Sequence, residues 1–322
     1  MFLGIDGGGT KTAFTLIDGE GQVRARHVDG SLYHPEVGLD GVAAVLQRGV
    51  QATLQAAACG IDDVAFSFVG MPCHGEDSAL QAQLDALPAA VLPAGRYRCG
   101  NDMVCGWAGS LGAVDGINIV AGTGSIAYGE WQGRSARAGG WGELFSDEGS
   151  AYWIAREGLA LFSRMSDGRA EAGPLLALWR DRLQLGDDLD LCAHLYGPKA
   201  AGRSGVAGFA PLVVEAAEQG DPAARAIFVA AAAQLVDIIV ATARRLGVPA
   251  NAALSVSYSG GVFQSQALVL DPLRALLAGQ LPQARLVTPR FSPSLGAALQ
   301  AARLAGRPLP AAALARLEPA VP

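Results

Sequence analysis

The residues best suited to chemistry gather in a few short stretches. The first is Asp6-Gly7-Gly8-Gly9-Thr10-Lys11-Thr12, set between an apolar run from Phe2 and the segment Ala13-Phe14-Thr15-Leu16. Three consecutive glycines allow positive φ and let the backbone come close to a ligand. A concave row of N–H groups binds anions, phosphate above all. Thr10, Lys11 and Thr12 add hydroxyl and ammonium donors at the same corner, and Asp6 ends a strand, where a carboxylate can face a metal rather than a phosphate. The same residues also fit a plain β-hairpin with a glycine turn and an exposed Asp.

A second turn, Gly122-Thr123-Gly124-Ser125, follows the apolar run Gly116–Ala121 and again suits phosphate. Gly122-x-Gly124-x-x-Ala127 formally matches the dinucleotide-binding fingerprint, which needs a helix opening at the second glycine. Ile126–Trp131 reads as a strand instead, which disfavours a dehydrogenase. Asn101-Asp102 lies where a strand passes into a helix. An Asp there either caps the helix or, at the C-terminal edge of an open sheet, accepts the proton of an attacking hydroxyl in phosphoryl transfer. The stretch Gly139-Gly140-Trp141-Gly142-Glu143-Leu144-Phe145-Ser146-Asp147-Glu148-Gly149-Ser150-Ala151-Tyr152-Trp153 mixes a flat ring with paired carboxylates, the mix a sugar needs for its C–H face and vicinal hydroxyls. Its plainer reading makes Ser146 or Asp147 a helix cap and Trp141 core. Gly260-Gly261, after a strand, leaves room for a flat purine but is weak alone.

The elements that must position these groups read as three meandering strands to Val28, a helix from Leu39 to Ala58, a strand at Val64–Val69, and a helix at Ser78–Leu87. Then come a strand at Tyr97–Gly100 and a helix at Met103–Leu111. Strand, glycine turn and strand then recur from Gly116, so a duplicated α/β fold is expected. Ser135–Gly149 is rich in glycine and aromatic residues. Helices follow at Ser150–Phe162, Leu175–Arg182, Phe209–Glu218 and Asp221–Leu246, the last opening on an Asp cap with Pro in its first turn. A strand at Leu254–Tyr258, a helix at Pro272–Leu277, a strand at Leu286–Thr288, a helix at Leu295–Ala305 and a loosely held tail after Pro308 complete the chain. The expected domains are 1–115 and 116–322, hinged near Val114–Gly116, with the helix near 295–305 able to pack back on the first.

The 322 residues are 51% hydrophobic and 17% charged, enough for two cored domains. The net charge of −6, without a basic cluster, argues against a nucleic-acid partner. Lys11 is one of only two lysines. Five scattered cysteines (59, 73, 99, 105 and 192) read as free thiols in a reducing compartment, and the lack of a C-x-x-C pair disfavours structural zinc. Ala223–Leu246 is the nearest approach to a membrane span but carries Arg225, Gln234 and Asp237. A soluble, cytoplasmic chain without a membrane partner is expected.

Together the motifs resemble the N-acetylglucosamine kinase family and its bacterial BadF/BadG-type relatives, in the superfamily of sugar kinases, Hsp70 and actin. The similarity runs from Gly4 to about Ala298, and the Gly-Gly-Trp-Gly…Asp-Glu-Gly-Ser-Ala-Tyr-Trp string is its most specific part. It implies an α/β architecture of two duplicated RNase-H-like (actin-like ATPase) domains with ATP and sugar in an interdomain cleft. By position it implies Gly8, Gly9, Thr10 and Lys11 at the β/γ phosphates, and Asp6 holding Mg²⁺. Gly122, Thr123 and Gly124 would form the second phosphate loop, and Gly260 and Gly261 would flank adenosine. Asp102 would be the base, and Gly140, Trp141 and Asp147 would bind sugar with it. Family members are often homodimers. The activity implied is ATP-dependent 6-phosphorylation of N-acetylglucosamine. The family's sugar loop has a Ser-x-Asn-His-like segment, whereas Gly30-Ser31-Leu32-Tyr33-His34 puts Tyr33 at the Asn, which leaves glucosamine or another hexose open. Two other classes stay open: a BadF-type ATPase activator with a bridging iron–sulfur cluster, and a non-enzymatic sugar sensor. Cys99 and Cys105, bracketing the Asp102 helix start, are poorly placed for the cluster, and the chain opens directly on its first strand without an added DNA-binding region.

Overall fold

The computed structural model describes residues 1–197 and 202–317. Short apolar runs broken by glycine turns form β1 (Phe2–Gly7), β2 (Thr12–Ile17) and β3 (Val23–Asp29). After them come α1 (His34–Ala56), β4 (Phe66–Met71), α2 (Gln81–Ala86), β5 (Tyr97–Asn101) and α3 (Asp102–Leu111). The chain continues through β6 (Gly116–Ala121), β7 (Ser125–Trp131), β8 (Arg134–Gly139), α4 (Ala151–Ser166), α5 (Pro174–Leu183), α6 (Asp190–Tyr196) and α7 (Gly202–Ala207). It ends with α8 (Ala210–Glu218), α9 (Pro222–Leu246), β9 (Leu254–Ser259), α10 (Gln266–Gln280), β10 (Ala284–Val287), α11 (Pro293–Leu304) and α12 (Ala311–Leu314).

The strands make two five-stranded sheets ordered β3-β2-β1-β4-β5 and β8-β7-β6-β9-β10. Strand for strand the two orders are the same, so one α/β plan is used twice. In the first sheet β1 pairs antiparallel with β2 and parallel with β4, which pairs parallel with β5. In the second, β7 and β8 are antiparallel and β9 and β10 parallel. Parallel pairing brings the C-terminal ends of β1, β4 and β5 to one edge, where open α/β sheets hold ligands.

The chain forms two compact units, Met1–Asn118 together with the segment from Thr288, and Ile119–Val287. The boundary at 115/116 read from the sequence lies just before the first crossing. In unit 1 one face of the sheet packs on α1, with Ile5, Phe14, Leu16, Val42, Leu46 and Val50 buried together. The other face takes α11, which also lies along α3. Glycine permits this close approach. A Cβ on Gly4 would overlap the backbone of Ser294, Ala297 and Ala298, and one on Gly296 would overlap that of Cys105 and Gly109. In unit 2, α9 is capped by Asp221, whose side chain accepts from Ala223 N at 2.9 Å, Ala224 N at 3.1 Å and Leu175 N at 3.0 Å. By length and composition α9 could cross a membrane, but it packs against β7, β8 and α10 and buries Phe228, Leu235 and Ile239.

Several expectations need correction. Arg134–Gly139, to which the sequence pattern assigns no element, forms β8, whose backbone pairs with β7 although its side chains lack an apolar alternation. Pro272 does not open a helix; it sits inside α10, which begins at Gln266. The Gly70-Met71 pair extends β4 rather than starting a loop. The tail is not loose as far as it is described: Ala313 and Leu317 are buried, and the Ala313 backbone fills the space beside Gly21 that a Cβ would need.

Replacing Gly296 with Val is expected to cost about 2 kcal/mol or more by overpacking the α3–α11 contact. A lower urea midpoint with unchanged slope would register it.

Candidate functional site

In unit 1 the register sets Asp6 of β1 opposite Gly70 of β4, and Met71 opposite Asn101 of β5. Asp6 and the first residue of α3, Asp102, therefore share one edge of the sheet. Gly70 between them is bare, and a Cβ there would overlap the Cys105 sulfur and lie 3.3 Å from the Asp102 Cα. The Asp102 charge acts on Asp6. Burial, then the charge of Asp102, pushes Asp6 up to about 7, while the Cys105 thiol and Lys11 pull the other way. Burial also pushes Asp102 up to about 6, with Glu76 adding to the rise and backbone N–H groups at the start of α3 opposing it.

The capping question at Asn101-Asp102 resolves by a division of labour. Asn101 Oδ1 accepts from Met103 N at 3.1 Å and so caps α3, while its Nδ2 donates to the His74 carbonyl at 3.2 Å. Asp102 is left as a carboxylate at the helix start. His74 is tied in turn to Asp85 at 2.8 Å and Gln81 at 2.7 Å, which fixes the segment after β4 beside Asn101.

The glycine turn is more closed than expected. The Gly8 N–H donates to the Lys11 carbonyl at 2.9 Å, and the Gly8 carbonyl accepts from Ser31 Oγ at 3.1 Å and Leu32 N at 3.3 Å. The hairpin thus uses the Gly8 N–H to close itself, a correction to its expected role as a phosphate donor. Gly9, Thr10 and Lys11 are exposed, and a Cβ on Gly9 would meet nothing within 4 Å.

Unit 2 repeats the device. The Gly122 N–H donates to the Gly124 carbonyl at 2.9 Å, closing the turn, while Ala151 N at 2.8 Å and Tyr152 N at 3.3 Å donate to the carbonyls of Gly122 and Thr123. The Gly122 N–H is used within the turn, and the turn is fastened to the start of α4. Gly260, at φ +107°, abuts the end of β6, where a Cβ would overlap the Ala121 backbone. Gly140 lies against Ile126 of β7, just beyond the same turn. Asp147 is 2% exposed and holds φ +59°. Its Oδ1 accepts from Ser125 N at 3.3 Å, and its Oδ2 receives Arg203 at 2.5 Å. The plainer reading of this stretch fails twice. Ser150, not Ser146 or Asp147, caps α4 by accepting from Trp153 N at 3.2 Å. Trp141 is not core; it is 68% exposed, with Arg137 5.8 Å from its ring centre.

The structure therefore gathers Asp6, Gly8–Lys11 and Asp102 in unit 1, and Gly122–Gly124, Gly140, Asp147 and Gly260 in unit 2. Gly261 follows Gly260 in a short 3-10 turn, and the Tyr258 and Phe263 rings pack tilted at 5.3 Å beside it. Sequence reasoning missed Cys105, a wholly buried thiol touching Asp6, and Arg203, whose partner lies 56 residues away with no local pattern to betray it.

A duplicated sheet with a glycine hairpin in each copy and an acid at the edge defines an ATPase of the sugar kinase, Hsp70 and actin type. The match is specific: residues 3–301 fit the BadF/BadG/BcrA/BcrD ATPase family, and the chain belongs to it. It is 31% identical to an N-acetyl-D-glucosamine kinase of Dictyostelium discoideum over 94% of this chain and 97% of that protein. It is 27% identical to an N-acetylmuramic acid/N-acetylglucosamine kinase of Clostridium acetobutylicum, over 92% of this chain and 96% of that one. A crystal structure from Chromobacterium violaceum, provisionally named an N-acetylglucosamine kinase, matches with a TM-score of 0.70 at 27% identity, covering 93% of this chain and 98% of that one.

Asp6 and Asp102 bind more protons folded than unfolded between about pH 4 and 7, so the apo protein loses stability as pH rises through that window. Melting temperature in EDTA should fall on that rise, and Asp102→Asn should flatten the fall and raise stability at the alkaline end.

Proposed function

We propose that this chain is an ATP-dependent kinase that phosphorylates the primary 6-hydroxyl of an amino sugar, N-acetylglucosamine first. The observation that carries the proposal is the Asp102 carboxyl: it stands at a sheet edge with its N-cap duty taken by Asn101, and its pKa is pushed up to about 6, within reach of base chemistry at neutral pH. The two named kinases that the chain matches along nearly its whole length support the substrate class.

In the proposed reaction Asp102 accepts the proton of the acceptor hydroxyl as that oxygen forms its bond to the γ-phosphorus. The bond from the γ-phosphorus to the bridging oxygen breaks, and ADP leaves with the electron pair. Lys11 and the hydroxyls of Thr10 and Thr123 offset phosphate charge, and Asp147 recognises acceptor hydroxyls with Trp141 and Gly140 beside it. Such catalysis is positioning and electrostatics more than covalent chemistry.

Asp6 fits a magnesium role. It is a hard oxygen donor whose carboxyl, without a cation, is pushed up to about 7. No group of three or more His, Cys, Asp or Glu gathers among the described residues, so the protein would share the ion with phosphate and water, as Mg²⁺ sites commonly do. Bound there, Mg²⁺ would neutralise charge on the phosphates. A cytoplasmic homodimer belongs to the same reading, and the five cysteines, scattered and without a C-x-x-C pair, suit a reducing compartment. An iron–sulfur activator is disfavoured because Cys105 is fully buried and burial pushes the Cys99 thiol up to about 12.

The test is ADP release across a panel of N-acetylglucosamine, N-acetylmuramic acid, glucosamine and glucose. Acceptor-dependent release with an amino sugar is expected; release independent of every acceptor would overturn the kinase reading. Asp102→Asn should lower turnover by about 10²-fold or more, and near wild-type turnover would remove Asp102 from its role. Asp147→Ala should chiefly raise the sugar KM, read from initial rates at saturating ATP.

A further inference from the structure

Unit 2 contains an ion pair in which Asp147 has a part in the reaction above and its partner, Arg203, has none. Arg203, at the start of α7, donates from Nη2 to Asp147 Oδ2 at 2.5 Å, and its Nε lies 3.3 Å from Glu143 Oε2. The other Asp147 oxygen accepts from Ser125 N, next to the second glycine turn. Each carboxylate oxygen therefore has one fixed donor, from different elements. The turn is shaped for the pair, since a Cβ on Gly124 would overlap both Arg203 Nη2 and Asp147 Oδ2. A carboxylate offers about four lone-pair sites. Two donors orient it and leave the rest for vicinal hydroxyls.

Resting on the reading of Asp147 as an acceptor contact, we propose that Arg203 is its positioning residue: the guanidinium fixes the carboxylate in the orientation that receives the acceptor sugar. A surface ion pair would be worth little. Here one partner is 2% exposed in its side chain, so losing the guanidinium leaves a buried carboxylate short of a charge-assisted bond. The groups facing Asp147 are Arg203, Glu143 and the Ser125 N–H; Glu148, its chain neighbour, instead accepts from Ser146 Oγ at 3.1 Å. Burial pushes the Asp147 carboxyl up, Ser125 and Arg203 oppose the rise, and Glu143 adds to it. Removing Arg203 must push it further up, and removing the Glu143 charge must let it down.

The experiment uses the full chain with ATP and N-acetylglucosamine, or whichever panel acceptor is phosphorylated best. Arg203→Ala should raise the acceptor KM about tenfold, the scale of one lost charge-assisted bond. The ATP KM and kcat should stay within about twofold. The acid limb of acceptor kcat/KM should move to higher pH in Arg203→Ala and to lower pH in Glu143→Gln. Arg203→Lys, or methylguanidine added to Arg203→Ala, should restore part of the loss. An acceptor KM unchanged in Arg203→Ala overturns the assignment. So does a loss shared equally by both KM values that neither Lys nor methylguanidine relieves, because that marks general damage to unit 2. If the wild-type chain uses no acceptor at all, the kinase reading fails and this role falls with it; if the wild type is active and Arg203→Ala matches it, only the role of Arg203 falls.

Discussion

The constraint on which the rest depends is electrostatic: two carboxyls, Asp6 and Asp102, enclosed at one edge of a sheet, where burial raises the proton affinity of both and the charge of Asp102 raises that of Asp6 further. Folding alone gives no reason to tolerate that. The surroundings maintain it by leaving out bulk and adding donors. Gly70 has no side chain where Asp102 and Cys105 come together, the start of α3 directs N–H groups at Asp102, and Asn101 takes the capping work. A site that is uncomfortable when empty is one that a cationic or phosphate-bearing ligand can relieve, the usual relation between perturbed acids and function.

The duplication shows how one scaffold comes to hold two chemistries. Both sheets share a strand order, and both place a glycine hairpin between their first two strands. In the first copy the hairpin is flanked by an acid and a lysine. In the second it is neutral, fastened by its carbonyls to α4, and the acid arrives from the loop before that helix. The extra helices of unit 2, α5 to α8, then supply what the first copy lacks, a guanidinium from α7.

Much of this was legible in the residues. The glycine turns, the Asn101-Asp102 step and the Asp221-Pro222 cap act through their immediate neighbours, so their chemistry declares itself locally. What escaped was decided at a distance. β8 is a strand because β7 offers it a ladder, not because Arg134-Ser135-Ala136 favours one. Pro272 reads as a breaker yet lies within α10, where tertiary packing of Val269, Leu273 and Leu277 outweighs local preference. The Gly8 N–H looked available until the hairpin's own closure was seen to consume it. Arg203 had no neighbour in sequence to give it meaning.

The return of the chain to unit 1 at Thr288 bears on biogenesis. Gly4 and Ile5 lie in a strand that α11 packs against, and residues 119 to 287 are synthesised in between. A ribosome emitting this polypeptide at about 5–20 residues per second leaves that strand uncovered for many seconds, while unit 2, contiguous in sequence, can complete itself first. The amino-terminal half is thus the last to mature. Premature termination near the carboxyl end would damage the oldest part of the nascent chain, and that interval is when a chaperone would find the most to hold.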